Sequence, residues 1–198
     1  TPLDQATGYA GLARGGVPTD PIFVLRVEDA GGGLIARAGE PAYQGGPKLP
    51  GAPQARVLAA GVAAETLDMM KSVVRFGTGR RAYRPDVDRA GKTGTTNNFV
   101  DAWFVGVTPE HAIAVWVGTD GYGTLGDRET GGKASLPAWI QIADILMEFE
   151  TETRFPIPDD VVMVEWQGQD VAMRRGGVHD SVLSLPPLGS RPLAAVDR

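Results

Sequence analysis

Cysteine is absent from the 198 residues, which removes disulfides, thiolate catalysis and cysteine-ligated zinc in one step. Histidine is nearly absent: His111 and His179 are the two present. They are isolated from each other, and neither sits in a His/Cys ligand spacing, so no metal site is expected. No run approaches the roughly 18 apolar residues that a membrane-spanning helix needs. No secretory leader opens the chain, since TPLDQ is a polar, helix-starting phrase and not a basic n-region. Initiator Met is missing too, so the expectation is a chain processed, trimmed or cloned from something longer, with any targeting segment upstream. Basic charge is in deficit, with 19 Lys plus Arg against 24 Asp plus Glu and a net charge of −5. Nucleic-acid and membrane-surface binders want a concentrated basic face, so neither partner is expected.

What the chain has in plenty is glycine and proline, 27 and 15 residues, which promise many turns and long connections. Hydrophobic residues at 42% and charged residues at 22% are ordinary for a soluble globular protein. The length suffices for one domain with a real core, or for a large piece of one.

Thr1-Pro2 followed by Leu3, Ala6, Tyr9, Ala10 and Leu12 reads as a short helix with Thr as N-cap and Pro at N1. Gly15-Gly16 stops it. Pro21 to Val27 is strand-like, with a turn at Ala30–Gly33 and a possible return over Leu34–Ala38. Val57 to Phe76 carries Leu58, Val62, Leu67, Met70, Val73 and Val74 near the 3.6-residue period, and Gly77 and Gly79 end it. Asp101–Thr108 and Ala112–Thr119 are apolar strands around a Pro109-Glu110 turn. Neither alternates with polar residues, so both faces of their sheet should be covered by helices. Leu136 to Phe149 is an amphipathic helix whose stripe is Trp139, Ile142, Ala143, Leu146 and Phe149. A short strand follows at Val161–Trp166.

The stretch AGKTGTTNNFVDAWFVGV, Ala90 to Val107, raises the chemical question. A phosphate-binding loop needs G-x-x-x-x-G-K-[ST], and its early glycine position is here Asp86. A helix should also follow, with its N-terminus aimed at the anion, whereas an apolar strand comes next. The nucleotide reading fails on both counts. Lys-Thr-Gly on an exposed strand is one of three motifs of serine penicillin-recognising enzymes. Lysine supplies a cation for a substrate carboxylate and for biasing proton transfer, and threonine hydroxyls hydrogen-bond that carboxylate. Glycine lets a substrate backbone lie along the strand, and the residue after it can offer a backbone N–H to an oxyanion.

The surroundings extend the match. AGKTGTTNNFVDAWFVGVTPEHAIAVWVGTD closely resembles the third to fifth strands of the transpeptidase domain of class A penicillin-binding proteins. TPLDQATGYAGLARGG, PIFVLRVED, MMKSVVRFGTGRRA, ETGGKASLPAWIQI and FPIPDDVV resemble that family's flanking segments in the same order. The resemblance implies an α+β fold of the penicillin-binding protein and serine beta-lactamase type, partial here, with an antiparallel sheet (strands around 90–96, 101–108 and 112–119) between helices. Residues 1–166 would form the C-terminal part of a transpeptidase domain, and 167–198 a tail of unknown role. It further implies a D,D-transpeptidase that cross-links peptidoglycan stem peptides and is acylated by beta-lactams, without a cofactor. Lys92 and Thr95 would act in catalysis, and Thr93, Gly94 and Thr95 would bind the substrate, with the Thr95 N–H as an oxyanion donor. The location would be periplasmic or on the outer face of the cytoplasmic membrane, held by an upstream anchor. A D,D-carboxypeptidase and a non-catalytic sensor or scaffold module are the alternatives.

The family's nucleophile lies in Ser-x-x-Lys, with lysine one helical turn away to take the serine proton. The serines are Ser72, Ser135, Ser181, Ser184 and Ser190, and none has lysine three residues on or asparagine two residues on. In the family both missing motifs precede the Thr1 helix. The expectation is a piece carrying one wall of the cleft and no nucleophile, inactive alone, which associates with the upstream half of its domain or with another copy of itself. Other residues have plainer readings: Asp101 as a structural ion pair or turn bond, Trp103 and Trp116 as core packing, Arg80, Arg81 and Arg84 as a solvated loop. Thr78 and its glycines could border the cleft, though a helix-ending turn explains them.

Overall fold

The computed structural model describes residues 1–41, 48–51, 54–121, 123–166 and 168–176. His179, Ser181, Ser184, Ser190 and most of the expected tail lie outside them. Helix α1 spans Pro2–Ala13, with the Thr1 hydroxyl accepting the Asp4 N–H and Pro at the first helical position. Gly15 and Gly16 then take left-handed conformations, φ 66° and 86°. A side chain on Gly16 would drive into the Leu58 carbonyl, and that contact lets the Gly16 carbonyl accept the N–H groups of Val57 and Leu58. Strands β1 (Arg26–Glu28) and β2 (Leu34–Arg37) pair as an antiparallel hairpin. The Asp29 carboxylate closes their turn on the Gly31 and Gly33 N–H groups, both at 2.8 Å. The strand expected from Pro21 is shorter than its composition suggests. Ile22 to Leu25 stay outside it, with Phe23 and Leu25 exposed, because no sheet among the described residues receives them.

The centre is an antiparallel sheet of β3 (Ala90–Thr95), β4 (Asp101–Val107) and β5 (Ala112–Gly118), in that order. These strands match the expected positions to within a residue at their ends. Opposed residues share a face, so Ala90, Val107 and Ala112 align on one side and Thr93, Phe104 and Val115 on the other. Helix α2 (Ala60–Phe76) sends Val74 to one side and Leu67 to the other. On the Phe104 side, Val74, Ile113, Leu136, Trp139 and Ala143 form a buried cluster. Trp139 stands edge-on to Phe104 with ring centroids 5.1 Å apart, and its indole N–H donates to the Ile113 carbonyl at 3.1 Å. Gly106 makes room for it, since a Cβ there would lie 2.8 Å from the indole. On the other side, Tyr9, Leu12 and Ala13 of α1 pack on Ala90, Val107 and Ala112.

Three expectations need correction. First, cover on the α1 side is incomplete: Trp103 is half-buried and Trp116 is 40% exposed. The two rings lie 6.2 Å apart and tilted, so they form a half-open pair and not core packing. Helix α1 reaches the Ala90–Val107–Ala112 end of that face and leaves the tryptophan end bare. Second, the short helix α3 (Gly131–Ala134) leads into α4 (Leu136–Leu146), after which Met147–Phe149 tightens to a 3₁₀ turn. The inward stripe of α4 is Leu136, Trp139, Ile140, Ala143 and Leu146, while Ile142 and Phe149 face solvent. Ile142 follows Ile140 by two residues, which turns it to the opposite side of the helix. Third, regular structure does not end with β6 (Val161–Trp166), after which a tail is expected from 167. That strand pairs with β7 (Gln169–Arg174), whose Ala172 N–H donates to Asp68 and whose Arg174 pairs with Glu65, both on α2. Polar side chains anchor β7, so hydrophobic periodicity is a poor guide to it.

Charged groups set the entry to β3. Asp88 accepts from Lys71 at 3.0 Å, Arg154 at 3.1 Å and the Phe155 N–H at 3.2 Å. Arg89, buried beside Trp139, pairs with Asp144 at 2.6 Å. In the β4–β5 turn, Glu110 accepts the Thr151 hydroxyl and the N–H groups of Thr151 and Glu152. The Thr151 hydroxyl first, then these amides, hold its carboxyl below the usual range.

Trp139→Ala is expected to lower stability by about 3–5 kcal/mol in chemical denaturation, because a large, fully buried ring leaves a cavity. A carboxyl with a lowered pKa stabilises the fold above its ordinary range and loses that contribution as pH falls through the lowered value. Amide exchange at Thr151 and Glu152 should therefore quicken, beyond the intrinsic pH effect, as pH falls below the ordinary glutamate range, and Glu110→Gln should abolish that pH dependence.

Candidate functional site

The site is built on β3, which pairs with β4 along one side and with nothing along the other among the described residues. The Thr96 N–H donates to the Asp101 carbonyl at 3.0 Å. Alternation along an antiparallel strand then turns the N–H groups of Thr93 and Thr95 to the open edge. The connection to β4 is tight: Asn98 and Phe99 take positive φ, 62° and 54°. The Thr96 hydroxyl accepts the Asp101 N–H at 2.8 Å, and the Asp101 carboxylate accepts the Trp116 indole N–H at 2.9 Å. Asp101 is thus a turn anchor, in keeping with its plainer reading.

Side chains of β3 divide between the two faces. Lys92 is exposed and curls so that its ammonium donates to the Thr93 carbonyl at 2.9 Å. It stands in a cleft of about 260 Å³ with Gln5, Tyr9, Gly94 and Trp103 in the wall. Burial raises the Tyr9 pKa, so the phenol beside Lys92 is neutral at physiological pH. On the opposite face the Thr93 and Thr78 hydroxyl oxygens lie 2.8 Å apart. Farther along, the Thr95 hydroxyl accepts the Gly131 N–H at 3.1 Å. Lys92, Thr93, Gly94 and Thr95 thus share one exposed strand, but the lysine and the two threonines do not touch one another through their side-chain heads.

The remaining singled-out residues serve the frame. Ser135 is fully buried and donates to the Ala102 carbonyl at 2.7 Å. Ser72 lies within α2. Asp86, which disqualified the phosphate loop, binds Arg84 through both carboxylate oxygens at 3.0 and 2.8 Å. The hydrogen bonds from Arg84 hold its carboxyl below the usual range. Arg84 also reaches Asp144 at 3.5 Å, so it is paired and not merely solvated. His111 meets Glu150 at 2.9 Å, and Glu150 also takes the Thr108 hydroxyl. That cluster fastens the β4–β5 turn.

Residues 1–144 match the family described as the penicillin-binding protein transpeptidase domain. The chain belongs to that family. Penicillin-binding protein 1A of Aquifex aeolicus is 32% identical over 173 residues, covering 87% of this chain and 22% of that protein. Penicillin-binding protein 1A of Neisseria flavescens is 34% identical over 195 residues, covering 97% of this chain and 23% of that protein. The chain thus spans under a quarter of the length of these relatives. Among solved structures, penicillin-binding protein 1A from Haemophilus influenzae superposes with a TM-score of 0.74 at 23% identity, over 89% of this chain and 32% of that one. Penicillin-binding protein A from M. tuberculosis gives 0.58 at 24%, over 74% and 31%. The likeness to class A penicillin-binding proteins is borne out, and so is the α+β penicillin-binding protein fold.

In this transpeptidase-domain chain, two supports of β3 escaped sequence reading. Thr78 reads from sequence as a cleft border or a plain helix-ending turn, and its pairing with Thr93 has no local signal. Gly131 carried a visible one, the Gly131-Gly132 pair ahead of a helix. A Cβ on Gly131 would sit 2.6 Å from the Gly94 carbonyl oxygen and collide with that of Trp103. Only glycine lets α3 start against the back of the β3–β4 pair and give its N–H to Thr95. Gly131→Ala is expected to cost about 1–3 kcal/mol through overpacking, read by chemical denaturation. The same change at Gly121, whose Cβ would meet nothing within 4 Å, should be near neutral.

Proposed function

We propose that the chain is the C-terminal part of a peptidoglycan D,D-transpeptidase and forms the carboxylate-binding wall of its cleft. The single observation that carries this reading is the open edge of β3, where one lysine, two threonine hydroxyls and an outward backbone N–H follow one another. A stem peptide ending in D-Ala-D-Ala, or a beta-lactam that mimics it, lies along that edge. Thr93 and Thr95 hydrogen-bond its terminal carboxylate, and the Lys92 ammonium balances the charge. The Thr95 N–H donates to the oxyanion that forms when the carbonyl is attacked, where a preorganised donor is worth far more than in water.

A serine upstream of this chain supplies the attack. Its oxygen bonds to the carbonyl carbon of the penultimate residue, the amide C–N bond breaks, and D-alanine leaves with a proton. An amine from a neighbouring stem then attacks the ester and frees the serine. No cofactor enters. Support for the missing partner comes from the bare end of the sheet, where Trp103, in the cleft with Lys92, and its neighbour Trp116 stand half-open. The upstream half of the same domain covers that face, and self-association of the isolated chain is the competing way to cover it. Acylation by beta-lactams accords with the imipenem acyl-enzyme of M. tuberculosis penicillin-binding protein A. The substrate places the whole protein at the periplasmic or outer face of the cytoplasmic membrane, anchored upstream.

Fluorescent penicillin tests this reading. The full-length protein is expected to form a covalent adduct, lost on denaturation before labelling, whereas residues 1–198 alone form none. In the full-length protein, Lys92→Met should slow acylation by about 10²-fold or more with the fold intact by circular dichroism. An adduct on the isolated chain, or unchanged acylation of the Lys92 variant, contradicts it.

A further inference from the structure

Thr78 lies outside the Lys-Thr-Gly strand, and nothing in the chemistry above uses it. Yet its placement is over-determined. Helix α2 ends at Phe76, and the N–H groups of Gly77 and Gly79 both turn back to the Val73 carbonyl, at 3.0 and 3.1 Å. Gly79 is buried against the Phe104 ring, where a Cβ would sit 3.3 Å from its edge. Gly132, at the start of α3, is glycine where a Cβ would press the Thr78 carbonyl oxygen at 3.3 Å. Three elements therefore close around one residue, and its exposed hydroxyl meets that of Thr93 at 2.8 Å.

A threonine hydroxyl has one proton to donate and two lone pairs to accept with. For Thr93 to donate to a carboxylate, its proton must stay free, so the shared bond must take its proton from Thr78. The pair then works in one direction: Thr78 O–H to Thr93 Oγ1, and Thr93 O–H to the ligand. Donation into Thr93 also polarises it as a donor in turn. We propose that Thr78 is a positioning residue that fixes the Thr93 hydroxyl rotor for an anionic ligand group. This inference rests on the carboxylate-binding role proposed for β3.

The test uses the full-length protein and second-order acylation rates with two penicillins, one carrying its free carboxylate and one with that group as a methyl ester. Thr78→Val removes the hydroxyl at nearly constant shape, and Thr78→Ser restores it. The expected result is a loss of about three- to tenfold for the free acid in the valine variant, recovery in the serine variant, and no change for the ester. An equal loss on acid and ester assigns Thr78 a merely structural role and overturns the proposal, as does no loss on either. Failure of the wild-type protein to acylate at all rejects the transpeptidase reading instead, so the two failures are distinguishable.

Discussion

Everything at the site depends on β3 being paired, among the described residues, along one side only. A strand inside a sheet spends all its backbone groups on neighbours, whereas an edge strand keeps every second N–H and C=O available. Edges are ordinarily a liability, and here the exposed one carries Lys92, Thr93, Gly94 and Thr95. The rest of the chain holds that edge still. Register with β4 fixes which groups face outward. The Thr96–Asp101 turn locks the register at one end, and the Asp88 and Arg89 ion pairs lock the approach at the other.

Support comes from behind as well. Glycine at 106 admits the Trp139 ring, and glycine at 131 admits the start of α3, so helix and sheet approach closely. That closeness is what brings the Gly131 N–H to Thr95 and the Gly79 turn to Phe104. A loose core would leave the threonine hydroxyls free to rotate, and a carboxylate would have to order them on arrival. Preorganisation of this kind moves that entropic cost from binding to folding.

Much of this was legible in the residues. Apolar runs around Pro109-Glu110 named β4 and β5, and the Thr1-Pro2 cap named α1, because both signals are local. The Lys-Thr-Gly strand was legible through its neighbours: Asp86 removed the phosphate loop, and the order of flanking segments supplied the family. Other features were hidden because they join distant segments. The Thr78–Thr93 contact spans the turn after α2, and β7 is tied down by Asp68 and Glu65 instead of by apolar period. The openness of Trp103 and Trp116 was misread for a related reason. Their hydrophobic strands implied cover on both faces, and α1 reaches only one end of that side.

On the function proposed for it, the chain holds a binding wall whose nucleophile is supplied from outside it, and a crystal structure of the full-length protein acylated by penicillin tests that most directly. The account predicts a covalent bond to a serine outside these 198 residues, with the ligand carboxylate within about 3 Å of the Thr93 and Thr95 hydroxyls. A bond to Ser72 or Ser135, or a carboxylate bound away from β3, would contradict it.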